Sequence, residues 1–318
     1  MVQVMPKQAA DGDAHRSVLL QEAVDGWFVD AGGVYVDGTY GRGGHSLALL
    51  QRLASDATLM AVDRDPRAIE VANTMAGSWP QMVVEHADFA RIPELVDAHG
   101  WRGKISGILL DLGVSSPQLD EAERGFSFLR DGDLDMRMNP SEGMTAADWL
   151  ANASRAEIVR ILRRYGEERF AQRIATAIDE SRQLAPIDRT LQLAELIAAT
   201  VPRREPGKHP ATRSFQAIRM VVNQELQQLE AFLGRCLDVL RPGGRLAIIS
   251  FHSLEDRMVK RFFRAEASAT SVPKGLPIPD SELPRQLRLC GAAQRAAATE
   301  VAANPRSRSA VLRVAEKI

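Results

Sequence analysis

The chain has little cysteine: Cys236 and Cys290 are the two in 318 residues. They form no paired-cysteine metal spacing, and two thiols make no disulfide framework. The six histidines are scattered, so no metal site is expected. No run approaches the roughly 18 apolar residues of a membrane span. The first residues carry no long apolar core, so no signal peptide is expected and the expected compartment is the cytoplasm. Excess charge is missing too, since 40 basic and 41 acidic residues leave a net charge of −1. That balance hides an asymmetry. Residues 1–119 carry net −6, whereas residues 151–219 and 220–318 each carry +5. An acidic front and a remainder that is basic apart from an acidic stretch over 120–150, net −5, suit one module for a cationic cofactor and one for a polyanion.

Two further absences concern the glycine-rich stretch after Val34-Tyr-Val36. Gly41 and Gly43 are followed by Ser46, so the third glycine of a dinucleotide fingerprint is lacking. No lysine is present either, which excludes a phosphate-cradling P-loop. What is present is a short buried strand ending in Asp37, then Gly38, Gly41, Gly43 and Gly44, then a helical run through Leu47, Leu49, Leu50 and Leu53. Strand, glycine loop and helix is how an open α/β sheet holds a nucleotide-like cofactor. The glycines let the backbone approach the ligand, and Asp37 can accept a hydrogen bond from it. An acid at the strand end favours a cation, so the loop favours S-adenosylmethionine over a dinucleotide.

Strands and helices alternate from there. Residues 58–62, 82–84 and 105–110 read as strands. Asp65 and Pro66 start a helix as cap and first residue. This alternation means a parallel, doubly wound sheet, an α/β fold. It stops at Asp111. Residues 112–140 read as loop and 145–200 as helix, followed by a Pro- and Arg-rich linker over 201–212. The expected organisation is a lead-in over 1–14, a discontinuous sheet domain over 15–119 and 215–318, and a helical insertion over 120–214. The sheet domain resumes with one long helix, Phe215 to Leu240, stopped by Pro242-Gly-Gly244. A strand over 246–249, a helix over 254–264, an irregular stretch over 270–300 and a last strand over 310–314 complete the chain.

Four strand ends then converge on one sheet edge with Asp37, Asp63, Asp88-Phe89 and Asp111. Asp63 is placed to accept the hydroxyls of an adenosine ribose. Phe89 can edge or stack on the adenine.

Several longer phrases are specific: Asp37-Gly-Thr-Tyr-Gly-Arg-Gly-Gly-His-Ser46, Asp111-Leu-Gly-Val-Ser-Ser-Pro-Gln118, Arg124-Gly-Phe-Ser-Phe128 and Asp133-Leu-Asp-Met-Arg-Met138. Further on stand Tyr165-Gly-Glu-Glu-Arg-Phe170, His209-Pro-Ala-Thr-Arg-Ser-Phe215, Ser250-Phe-His-Ser-Leu-Glu-Asp-Arg257 and Asn304-Pro-Arg-Ser-Arg-Ser309. In this order they resemble the bacterial ribosomal RNA small subunit methyltransferase H family, also called MraW, from about His15 to Glu316. The resemblance implies a class I S-adenosylmethionine-dependent methyltransferase domain, Rossmann-like, with an inserted helical domain. It implies N4 methylation of one cytidine in the decoding region of 16S rRNA, with the small ribosomal subunit as partner. It also implies cofactor contacts at Gly43, Gly44, His45, Asp63, Phe89, Asp111 and Gln118, beside Asp37 and Gly41 from the loop itself.

The chemistry asks for nitrogen, methyl carbon and sulfur held in line. Cytosine N4 shares its lone pair with the ring, so an acceptor on N4–H is needed. Asp111, Ser115, Ser116 and the carbonyls of their loop are the candidates; Asp133, Asp135 and His252 rank second. Many amino-methyltransferases stack the flipped base on an aromatic in this loop. Ser115-Ser-Pro-Gln118 has none, which leaves Phe126, Phe128 or Phe251. RNA contact is expected from Arg203, Arg204, Lys208, His209, Arg213, Arg306 and Arg308, with salt-sensitive binding. The rival readings are a nucleotide-dependent oxidoreductase, a non-catalytic RNA-binding module and a cytosine-N4 methyltransferase of another nucleic acid. Monomer and homodimer both stay open.

Overall fold

Each short apolar run that ends in an acid forms a strand of one sheet. The computed structural model describes residues 17–202, 209–268 and 285–318. Its strands are β1 Val34–Asp37, β2 Thr58–Asp63, β3 Met82–His86, β4 Ile105–Asp111, β5 Leu240–Ser250, β6 Leu287–Leu289, β7 Gln294–Arg295 and β8 Val311–Lys317. Their order is β3-β2-β1-β4-β5-β8-β6, with β7 also on β8. β1 to β5 are parallel, and β8 runs antiparallel to β5. This is the expected class I methyltransferase sheet. Order reverses between β1 and β4, which opens a crevice at their carboxyl ends.

Helices cover both faces, so the central strands β1, β2 and β4 are apolar along most of their length. Alternate residues point to opposite sides. Val36, Met60, Ile108 and Ile248 join one core with Phe232 and Phe263, while Tyr35, Leu59, Leu109 and Ile249 join the other with Trp27 and Leu49. Before and between the first four strands stand α1 Leu20–Trp27, α2 Gly44–Leu50, α3 Pro66–Ala76 and α4 Ile92–Ala98. Asp65 caps α3 by accepting from the Arg67 N–H, with Pro66 in the first turn as expected. After β4 come α5 Ser116–Asp120, α6 Ala146–Asn152, α7 Arg155–Gly166, α8 Ala171–Leu184 and α9 Thr190–Thr200. The chain continues through α10 Thr212–Val222, α11 Glu225–Leu233, α12 Cys236–Val239, α13 Ser253–Glu266 and α14 Ala298–Ala303. Among the described residues, no helix is long and apolar enough to cross a membrane.

Three expectations need correcting. The stretch from Phe215 to Leu240 is three helices, not one. Gln224 takes a left-handed φ of 52°, and the buried Asn223 side chain binds backbone at Met136 and Met138. Those bonds tie the break to the loop before α6, and Phe215, Ile218 and Met220 of α10 belong to the insertion's core with Trp149 and Ile161. Pro242-Gly-Gly244 does not end a helix; it lies inside β5, where pairing with β4 jumps from Ile105–Leu240 to Gly107–Arg245. The extra residues form a bulge. The stretches read as loop and irregular contain α5, β6, β7 and α14. The lead-in over 1–14 and the linker residues 203–208 lie outside the described residues.

Candidate active site

The carboxyl ends of β1, β2, β4 and β5 border a cleft that opens to solvent. Each wall follows from local structure. After β1 the chain turns through Gly41 and Gly43 into α2. Gly43 has φ +75°, and a Cβ there would stand 2.3 Å from the Tyr40 hydroxyl, so no larger residue fits. Gly41, Gly44 and His45 line the cleft, while Asp37 does not. Asp37 lies beneath it at 2% exposure, where its carboxylate accepts from the Ser46 hydroxyl at 2.7 Å and the Thr39 N–H at 3.2 Å. The sequence reading of Asp37 as a direct ligand contact is therefore replaced by a buried charge just below the floor. Burial pushes its carboxyl up to about 6, against the pull of those hydrogen bonds.

Asp63 closes β2. Its oxygens accept from the Gly41 N–H and the Asp65 N–H, each at 2.8 Å, which ties the glycine loop to the start of α3. Burial raises this carboxyl to about 6 as well. Phe89, after β3, borders the cleft with its ring edge-on to Phe232, centroids 6.1 Å apart.

Asp111 closes β4. Its N–H donates to the Thr39 hydroxyl, but its Oδ1 is buried with no hydrogen-bond partner. About a quarter of the side chain (26%) still faces the opening. Burial, then the charges of Asp37 and Glu255, push its carboxyl up to about 8. His45 does not supply the missing cation. Its Nδ1 is 3.8 Å from Asp111, but its Nε2 lies 3.0 Å from the Val18 carbonyl, and burial drops the ring to about 4. At neutral pH His45 is an uncharged donor to Val18.

Beyond Asp111 the loop enters α5. Ser115, Ser116 and Gln118 border the cleft. Gln118 is committed elsewhere: its Oε1 accepts from the Ser115 N–H and its Nε2 donates to Asp65 at 2.8 Å. Asp65 also accepts from Arg124, which donates in addition to the Met138 carbonyl. This buried knot fastens α3, α5 and the insertion together. The Ser116 hydroxyl accepts from Arg306 at 2.8 Å, and Arg306 also holds Asp120.

Other expected residues separate clearly. Asp133 pairs with Arg189 and Asp135 with Arg137, and neither borders the cleft. Phe126 is buried in the insertion's core, and Phe128 sits against His209 and Phe215. Phe251 borders the cleft. Of the basic residues, Arg213 donates to the Glu167 carbonyl, Arg306 faces the cleft and Arg308 is exposed. Arg203, Arg204 and Lys208 fall outside the described residues.

Sequence reasoning missed Glu225, Glu255 and Asn304, which also border the cleft. Burial alone would raise Glu255; His252, Arg219 and the Phe251 N–H outweigh it and hold its carboxyl below the usual range. Glu225, His252 and Glu255 bring ligand atoms within 4.8 Å of one another. Each is already engaged. Arg219 grips Glu225 through two bonds of 2.8 Å, and His252 Nδ1 accepts from the Glu255 N–H. The one sequence signal for Glu255 was its place in the Ser250 to Arg257 phrase.

The arrangement is a cleft floored by acids at a topological switch point, bordered by the glycine loop after β1 and the loop that runs from β4 into α5. A sequence model of the MraW methylase family matches residues 13–318. Ribosomal RNA small subunit methyltransferase H of Thioalkalivibrio sulfidiphilus (strain HL-EbGR7) is 55% identical over 306 residues, covering 96% of this chain and 98% of that one. Among solved structures, a putative rRNA-methylase from Clostridium thermocellum gives a TM-score of 0.43 at 11% identity, covering 95% of this chain and 98% of that chain. A putative methyltransferase from Streptococcus mutans in complex with SAH gives 0.42 at 11% identity, covering 94% and 97%. The family match spans the sheet and every residue that lines the cleft, and on that ground the chain belongs to the MraW methylase family and is a methyltransferase.

Proposed function

We propose that this enzyme transfers a methyl group from S-adenosylmethionine to N4 of one cytidine in the decoding region of 16S rRNA, in the cytoplasm, on the assembled or nearly assembled small subunit. One observation carries the reading: Asp111 Oδ1, a buried acceptor without a partner at the end of β4. An amine brought there satisfies it, and a cation in the cleft offsets the cost of ionising Asp111 among Asp37 and Glu255. The acid-rich floor therefore fits a sulfonium ligand better than a pyrophosphate. S-adenosylmethionine, when bound, supplies a methyl group on a good leaving group.

The chain's own residues hold and orient. Asp63 takes the ribose hydroxyls, Phe89 borders the adenine, and Gly41, Gly44 and His45 give close backbone approach. Gln118 acts at one remove, by fixing Ser115 and Asp65. Asp111 accepts the N4–H hydrogen bond, which turns the nitrogen lone pair out of conjugation, and it is the candidate to take the proton. Ser115 and Ser116 shape the loop above it. RNA binding falls to the insertion and the basic segments, with Arg308 the exposed cation nearest the cleft-lining Arg306 in sequence. A shape-reading insertion favours the assembled particle over naked RNA.

Labelled S-adenosylmethionine should be offered with naked DNA, naked rRNA and assembled small subunits, and the product nucleoside identified by mass spectrometry. N4-methylcytidine on the subunit alone is expected. Labelling of DNA, or unchanged small-subunit cytidine methylation in cells lacking the protein, would remove the reading.

A further inference from the structure

Amino-methyltransferases need a flat apolar face for the extruded base, and the loop after β4 offers Ser115 and Ser116 instead. We infer that Phe251, carried on the next strand, is the face on which the target pyrimidine lies. Register brings it there. Asp111 pairs with Ile249 across β4 and β5, so Gly113 and Phe251, two residues beyond each, stand level at the carboxyl edge. Both border the cleft. Gly113 has φ +110°, and a Cβ at that position would lie 3.5 Å from Phe251 Cδ2. Any side chain there would be strained and would rest on the ring. Glycine keeps that side of the ring clear, beside the acid that is to meet N4.

The other aromatics are accounted for. Phe126 and Phe128 pack within the insertion. Tyr40 also borders the cleft, but it is only 3% exposed and its hydroxyl lies 3.5 Å from the Met75 sulfur, under the glycine loop. Phe89 is on the β3 side, beyond Gly38 and against Phe232. Phe251 is also held in advance. Its N–H donates to Glu255 Oε2 at 3.0 Å, and Glu255 is only 2% exposed. His252, next in the chain, caps α13 through its Nδ1 and stands 3.0 Å from Glu255 Oε1. Glu255 is thus a positioning residue for the ring. The platform that other enzymes build after β4 is built here after β5.

This inference rests on the proposed cytidine substrate, so two readouts are needed. With saturating S-adenosylmethionine and small subunits, Phe251→Leu should lower kcat/KM roughly ten- to hundredfold, the usual worth of one base–aromatic stack. S-adenosylmethionine affinity by calorimetry should stay within about twofold, and Phe251→Tyr should recover most of the loss, because the stacking face is kept. Separately, pyrrolocytidine fluorescence should be quenched by the wild type with S-adenosylhomocysteine, and not by Phe251→Leu. Wild-type kcat/KM in Phe251→Leu would overturn the inference. So would an equal loss of cofactor affinity, which marks a packing role, or absent quenching by a wild type that methylates subunits. Quenching without subunit methylation would sink the proposed substrate and leave the platform standing.

Discussion

Asp111 sets a pH dependence that can be worked through. Its carboxyl stands at about 8 in the ligand-free protein, held there by burial and by the charges of Asp37 and Glu255. A cationic ligand prefers the ionised form. At pH 7 only about one-tenth of the molecules carry that form, and at pH 6 about one-hundredth; apparent affinity falls in proportion. S-adenosylmethionine binding should therefore tighten about tenfold per unit up to pH 8 and then level off. Binding at pH 7 should release about 0.9 proton from this group. Calorimetry in two buffers of different ionisation enthalpy measures that release directly. Asp111→Asn should abolish the difference and leave the gentler bend near 6 from Asp37 and Asp63. Asp37→Asn should move the Asp111 bend to lower pH, because it removes the stronger of two like-charge effects. A buffer-independent enthalpy at pH 7 would show Asp111 already ionised there, against this expectation.

The same shift has a consequence for folding, with the opposite sign to a paired carboxylate. A carboxyl raised above its unfolded value of 3.8 holds its proton more tightly in the folded state. The ligand-free protein therefore loses stability as pH rises between the two values, by about 1.4 kcal/mol per unit. Between pH 6.5 and 8 Asp37 and Asp63 are mostly ionised already, so Asp111 is the one of the three still contributing. Ligand-induced stabilisation should grow over that window.

Three other outcomes are expected. Asp65→Ala removes the cap of α3 and leaves Arg124 buried without its carboxylate, so urea denaturation should show a loss of about 3–5 kcal/mol; a loss below about 1 kcal/mol would mean the knot is not structural. Asp63→Asn replaces one carboxylate acceptor by an amide donor facing the Gly41 or Asp65 N–H; nucleoside binding should weaken by about 1.5–3 kcal/mol, read by calorimetry. Arg308→Ala should reduce the slope of log binding constant against log salt by about 0.7–0.9 on the small subunit if Arg308 meets a phosphate, with little change in cofactor affinity.

Much of the sheet was legible because a buried parallel strand is a short apolar run, and here each of the first four is followed by a turn or an acid. Asp65-Pro66 announced α3 through capping chemistry that needs no tertiary context. The break at Asn223–Gln224 was illegible for the opposite reason. Apolar spacing continues from Phe215 through Leu229 to Leu237, and nothing local says that Asn223 will bind backbone at Met136 and Met138. Likewise Pro242-Gly-Gly244 carries the composition of a helix stop. Only pairing with β4 makes it a bulge. The edge strands β6 and β7 are three and two residues long, too short for alternation to register.

For the site, sequence could name the acids but not their depth. Asp37, Asp63 and Asp111 look equivalent as strand-end residues, yet Asp37 is sealed below the floor while Asp63 and Asp111 border the cleft. Depth changes their function. Asp37 raises the Asp111 carboxyl, an effect that requires β1 and β4 to be neighbours. Glu255 adds to it from the first turn of α13, 144 positions along the chain from Asp111. Two acidic side chains, Asp37 and Glu255, oppose ionisation of the unpartnered Asp111 carboxyl in the empty fold. Such a cluster makes physical sense only if the state that matters contains a compensating cation. The topology that brings β1, β4 and β5 side by side also creates an electrostatic need, which in the function proposed above the methyl donor's charge would satisfy.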